Sequence, residues 1–217
     1  MDSTRLVADL PFEGQLPPLS GATGWLNSPP LTAADLRGRV VLIDFWTYTC
    51  INWLRTLGYV RAWAEKYVDQ GLVVVGVHTP EFPFERDVDN VRQAAKDMRV
   101  EYPIALDSDY AIWRAFSNRY WPAVYIADAQ GRIRHHHFGE GGYEESETVI
   151  QGLLGEAGRG PVSDDLVSVA EEASRRNPIG RTWSRPRPTS VMSKPRTLRR
   201  PVVLNSTNLA PMSRRIR

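Results

Sequence analysis

The sequence predicts an α/β domain of three layers, with helices covering both faces of a central mixed sheet. Two apolar runs rich in β-branched residues, "RVVLIDFW" and "LVVVGVH", have the pattern of strands covered on both faces, and a helical repeat lies between them. A helix joining two such strands implies a parallel βαβ unit with a right-handed crossover. Further on, "PAVYIAD" and "RIRHHHF" flank the turn "AQG" as an antiparallel hairpin that leads into a last helix. The order is therefore βαβ, an inserted helical segment, then ββα.

Taken in order, residues 1–22, with Pro11, Pro17, Pro18 and Gly21, read as an irregular leader. A short apolar start and a Pro29-Pro30 turn precede one helical turn capped by Thr32 and ended by Gly38. From Cys50 to about Val68 the spacing of Leu57, Val60, Ala64, Tyr67 and Val68 predicts a helix with one apolar face, closed by Gly71. "RDVDNVRQAAKDMRV" predicts a polar-faced helix, "YPIALD" a short strand, "DYAIWRAF" another helix, and residues from about Glu144 to Leu154 the last one. The domain is expected over 23–158, a linker over 159–180 and a basic, disordered tail over 181–217.

That tail governs the charge. It carries ten Lys or Arg and no acid, so a net charge of +2 hides an acidic body of 17 basic against 25 acidic residues. Nucleic-acid binding does not follow from such a distribution. The tail also reads as the shifted-frame translation of another segment or, alternatively, as a partner-binding extension. The longest apolar run, Leu72 to Val77, is too short to span a membrane, and the amino terminus lacks the basic-then-apolar order of a secretory signal. A cytoplasmic protein is the expectation.

Cys50 is the only cysteine, so any disulfide must join it to another molecule. It is placed at a helix amino terminus after a buried strand, where free N–H groups and the helix dipole favour the thiolate. A small buried hydrophobe is the competing reading. No metal is expected: of His135, His136 and His137 only the first and last share a strand face, and two imidazoles are too few. The glycines of "FGEGGYEESE" lack nucleotide-loop spacing, and no cofactor is expected.

"VVLIDFWTYTCINW", with "RYWPAVYIAD" about 70 residues later, resembles the thioredoxin-like superfamily, in the branch holding peroxiredoxin-like redoxins and the thioredoxin domains of TlpA- and DipZ-type proteins. The resemblance runs from roughly Gly24 to Leu154. It implies a thioredoxin-like fold with Cys50 as nucleophile, and a cis bond before Pro122 that leaves the Trp121 backbone open to an extended substrate. It also implies that Asp44 is the buried acid serving the second thiol of dithiol members, and that Trp46 flanks the site. Trp53 stands where that second thiol is found, so a dithiol cycle is chemically unavailable. At helical spacing from Cys50, Trp53 is expected either to cover the thiol or to offer a substrate platform.

Three functions follow as expectations. The first is a monothiol thiol–disulfide oxidoreductase acting on a disulfide-containing protein or a low-molecular-weight thiol, with release by an external thiol. The second is a one-cysteine thiol peroxidase, with Thr47 three residues before Cys50 and Arg119 as a guessed peroxide-orienting group. The third is a non-catalytic module binding a protein through a Trp46, Trp53 and Trp121 surface. His78, at the carboxyl end of a central strand, is a possible proton donor, a satisfied core histidine being the alternative.

Overall fold

The computed structural model describes residues 10–158 and 162–169. The expected tail, with both readings of it, lies outside the described residues. Within them the strands β1 (Gly14–Gln15), β2 (Gly24–Leu26), β3 (Val40–Trp46), β4 (Leu72–His78), β5 (Ile104–Leu106), β6 (Ala123–Ala127) and β7 (Arg132–Phe138) form one sheet, ordered β1-β7-β6-β3-β4-β5-β2. The helices are α1 (Ala33–Leu36), α2 (Ile51–Tyr67), α3 (Val88–Asp97), α4 (Ala111–Ala115) and α5 (Tyr143–Glu156), with a 3-10 turn at Pro83–Arg86.

β3 is central because every one of its residues is apolar enough, or well enough covered, to be buried. It pairs parallel with β4 and antiparallel with β6, which makes the sheet mixed as expected. Its side chains alternate between two cores: Val40, Leu42 and Trp46 face α2, α3 and α5, while Val41, Ile43 and Phe45 face α1 and α4. The three layers follow from that alternation.

Gly76 interrupts an otherwise branched β4 for a steric reason. A Cβ there would lie 2.8 Å from Trp46 Nε1 and 3.0 Å from the Tyr102 ring. The register opposes Gly76 to Asp44, so this gap sits beside the buried acid.

Two stretches are more ordered than their composition suggests. The leader contributes β1, which pairs with β7, and a buried Leu19; backbone pairing to a sheet edge needs no hydrophobic pattern of its own. Residues 162–169, inside the expected linker, are fastened to the domain by Val167 N–H, which donates to Glu147 at 2.9 and 3.0 Å. Trp63 Nε1 (3.1 Å), Lys66 Nζ (3.1 Å) and Tyr67 Oη (2.6 Å) donate to the same buried carboxylate. The predicted apolar face of α2 also changes: Trp53 and Trp63 are buried, whereas Val68 is exposed just past the helix end.

Candidate active site

β3, β4 and β6 bring three connections to one end of the sheet. β3 runs into Thr47-Tyr48-Thr49-Cys50, β4 into the 79–87 loop, and β6 begins just after the cis Trp121–Pro122 bond. The register sets Phe45 opposite Ala123 and Trp46 opposite His78, so all three connections leave from the same edge. Thr79 ties them together: its N–H donates to Trp46 O at 3.0 Å, and its carbonyl accepts from Trp121 Nε1 at 3.1 Å.

Cys50 is the N-cap of α2, half-buried, with its N–H donating to Thr47 O at 3.1 Å. Burial pushes its thiol above the ordinary range; the N–H groups of Trp53 and Asn52 oppose that push, and the carboxylates of Glu81 and Glu85 add to it. The helix terminus therefore loses to burial and like charge.

Trp53 does not reach the surface. Its ring is 0% exposed and stacks on the equally buried Trp46, with centroids 4.3 Å apart. The expected aromatic platform of Trp46, Trp53 and Trp121 is therefore corrected: two of the three rings are core, and no substrate or protein can lie on them. The reason is a polar anchor inside. Trp53 Nε1 donates to Asp44 Oδ2 at 2.9 Å, so the indole fills the space beside the buried acid and satisfies one of its oxygens.

Asp44 is itself 0% exposed and also accepts from Tyr102 Oη at 3.3 Å, while its Oδ1 has no partner. Burial raises its pKa to about 7 against the lowering effect of these two donors. Trp121 is partly buried against Trp113, with ring centroids 4.1 Å apart, and Pro122 is buried. Thr47 is fully buried, with its Oγ1 3.5 Å from His78 Nε2. Burial lowers His78 to about 4, so its imidazole is neutral at neutral pH. A proton donor at that pH is not what this environment produces.

Glu85 escaped the sequence reading. It is almost fully buried, with Thr49 Oγ1 donating to Oε1, and the N–H groups of Glu81 (2.7 Å) and Phe82 (2.9 Å) donating to Oε2. Burial opposes its charge, but these donors together with Thr47 outweigh burial and hold the carboxyl below its usual value. Its only signal was a glutamate three residues after Phe82, at the start of a turn. Tyr102 was also missed, since a tyrosine ahead of a short strand carries no sign of its partner.

A cavity of about 650 Å³ opens elsewhere, between α2 and the start of β4, lined by Arg61, Leu72, Arg99 and Tyr102. It touches this network only through Tyr102, and the thiol chemistry does not reside there. Among the described residues no group of three or more His, Cys, Asp or Glu is placed to hold a metal, and no helix is long and apolar enough to cross a membrane.

Comparison with known proteins agrees with this architecture. The AhpC/TSA family model matches residues 20–136. The chain is 50% identical over 154 residues to the protein DipZ of Mycobacterium tuberculosis, covering 70% of this chain and 22% of that protein. It is 33% identical over 141 residues to the thiol-disulfide oxidoreductase YkuV of Bacillus subtilis, covering 65% of this chain and 95% of YkuV. The solution structure of a thioredoxin-like protein in its oxidised form superposes with a TM-score of 0.60 at 33% identity, covering 66% of this chain and 96% of that one. With its thioredoxin-like sheet and the cysteine at the head of α2, the chain belongs to the AhpC/TSA family, among the thioredoxin-like thiol–disulfide oxidoreductases.

Proposed function

We propose that this chain carries out thiol–disulfide exchange through Cys50 alone. The observation that carries the reading is Trp53: a buried indole bonded to Asp44 stands where a second thiol would, while Cys50 stays half-exposed at the head of α2. The Cys50 thiolate attacks one sulfur of a partner disulfide, forming a new S–S bond, and the other sulfur leaves as a thiolate and takes up a proton. An external thiolate then attacks the partner's sulfur in this adduct, regenerating Cys50 and carrying the partner away as a new disulfide. Asp44 takes no part as a base, because it faces the non-acidic N–H of the Trp53 indole and no thiol that it could deprotonate. Trp121 and Pro122 border the partner's approach.

Incubating the native protein with 2-hydroxyethyl disulfide and reading intact mass tests this. One mixed-disulfide adduct is expected, absent in Cys50→Ser and removed by dithiothreitol. An unmodified native protein that labels only after unfolding would overturn the proposal.

A further inference from the structure

The 79–87 loop brings to the edge of Cys50 a set of side chains that exchange chemistry alone leaves unused. Tyr48 Oη donates to Phe84 O at 3.3 Å and Thr49 Oγ1 donates to Glu85, so the loop is fastened to the strand end that leads into Cys50. On it, Phe82 and Phe84 are 45% and 53% exposed and stack with centroids 5.6 Å apart and planes 3° apart. Exposed Glu81 and ionised Glu85 flank them, and neither makes an ion pair among the described residues. Asp87 is committed to the N–H groups of Asp89 and Asn90 at the start of α3.

The cations nearby are engaged or stand apart. Arg86 donates to Ser108 O at 2.8 Å, and Arg55 pairs with Glu140 at 3.0 Å. Arg119 is exposed on the separate turn before Trp121.

Exposed ring faces beside carboxylates attract an ammonium or guanidinium group, and the same carboxylates repel an anion approaching the thiol. The ring pair sits on a loop fastened to Tyr48 and Thr49, next to Cys50 in the chain, so a partner that meets both must carry its cationic side chain and its sulfur on one molecule, as a polypeptide does.

We propose that Glu81, Phe82 and Phe84, with the buried charge of Glu85 behind them, select the partner of Cys50 as a polypeptide disulfide flanked by Lys or Arg side chains. This rests on the exchange reading above. The push of Glu81 and Glu85 on the Cys50 thiol agrees with their facing it.

The test uses three short peptides with one cysteine, flanked by Lys, Gln or Glu and activated as the same 2-pyridyl disulfide. Cys50 attacks the peptide sulfur; the peptide-to-pyridyl S–S bond breaks, and the leaving pyridine-2-thione is followed by absorbance. At low salt the Lys peptide is expected to react about tenfold or more faster than the Glu peptide, with Gln between, and the ratio to fall in high salt. Glu81→Gln is expected to shrink that ratio severalfold, and the double change Phe82→Ser with Phe84→Ser to slow the Lys peptide most; Arg119→Gln is expected to preserve the ordering. Equal rates for the three peptides, or a ratio unmoved by Glu81→Gln, would overturn the selection while leaving exchange intact. No release from any peptide would overturn the exchange reading and the selection with it.

Discussion

Asp44 and Glu85 are both buried carboxylates close to the strand end that leads into Cys50, and burial opposes the charge of each, yet their pKa values move in opposite directions. Asp44 has two donors on one oxygen and none on the other, and its pKa rises to about 7. Glu85 has two backbone N–H donors on one oxygen and the Thr49 hydroxyl on the other, and its pKa falls. Neither is open to solvent, at 0% and 1% exposed, but Asp44 lies deep in the core whereas Glu85 sits under a surface loop, so burial pushes harder on Asp44. Donor supply widens the difference: a carboxylate stays charged in the interior only when bonds to the protein replace those to water. The result is a charged group facing the thiol from the loop side and, beneath the helix, a carboxyl that takes up its proton near neutrality.

The largest way to disturb this contrast is to remove the indole. Trp53→Ala deletes a fully buried ring stacked on Trp46 and takes away the better of Asp44's donors, and a loss of about 3–5 kcal/mol in urea unfolding is expected. A change below about 1 kcal/mol would mean that the ring is not packed as described.

Next comes pH. Asp44 holds its proton in the folded chain to about 7 against 3.8 unfolded, so the folded state binds more protons between those values. Its contribution is fully present below the unfolded value and is lost as pH rises through the folded one, a fall on the order of 4 kcal/mol. Asp44→Asn should flatten that part of the stability profile, measured by urea unfolding from pH 4 to 8, and a variant with the same slope as the parent would refute the assignment. Glu85 runs the other way: its folded pKa is lowered, so its contribution is present above the usual glutamate value and fades only as pH falls through the lowered one.

A smaller effect sharpens the same comparison. Glu85→Gln keeps the shape but removes the charge that the Thr49, Glu81 and Phe82 donors satisfy, and a loss of about 1–3 kcal/mol is expected. The midpoint of Cys50 alkylation against pH should fall in the same variant, because a carboxylate that opposes the thiolate has gone. A stability loss with an unmoved midpoint would show that Glu85 only braces the loop.

Much of this was legible in the sequence, and the limits have physical causes. β3, α2 and the β6–β7 hairpin declare themselves because their patterns are long and periodic, and Cys50, Asp44 and Pro122 stand at positions that the family resemblance fixes. β1 was hidden because two residues at a sheet edge need only backbone partners. Trp53 was placed on the correct face of α2, but its fate was not readable: whether a tryptophan one turn on lies over a thiol or under it depends on what waits inside, here Asp44 nine residues earlier in the chain. Glu85 stayed invisible for the same reason, since its donors come from Thr49, 36 residues earlier, as well as from its own turn.

On the exchange proposed for Cys50, one accessible thiol above a buried indole forms an adduct it cannot discharge by itself. The direct test is the lifetime of the Cys50 mixed disulfide with a peptide, followed by intact mass after removal of all free thiol. The adduct is expected to persist for as long as the protein stays folded and to clear promptly when an external thiol is added. Clearance without added thiol, returning unmodified chain, would contradict the account.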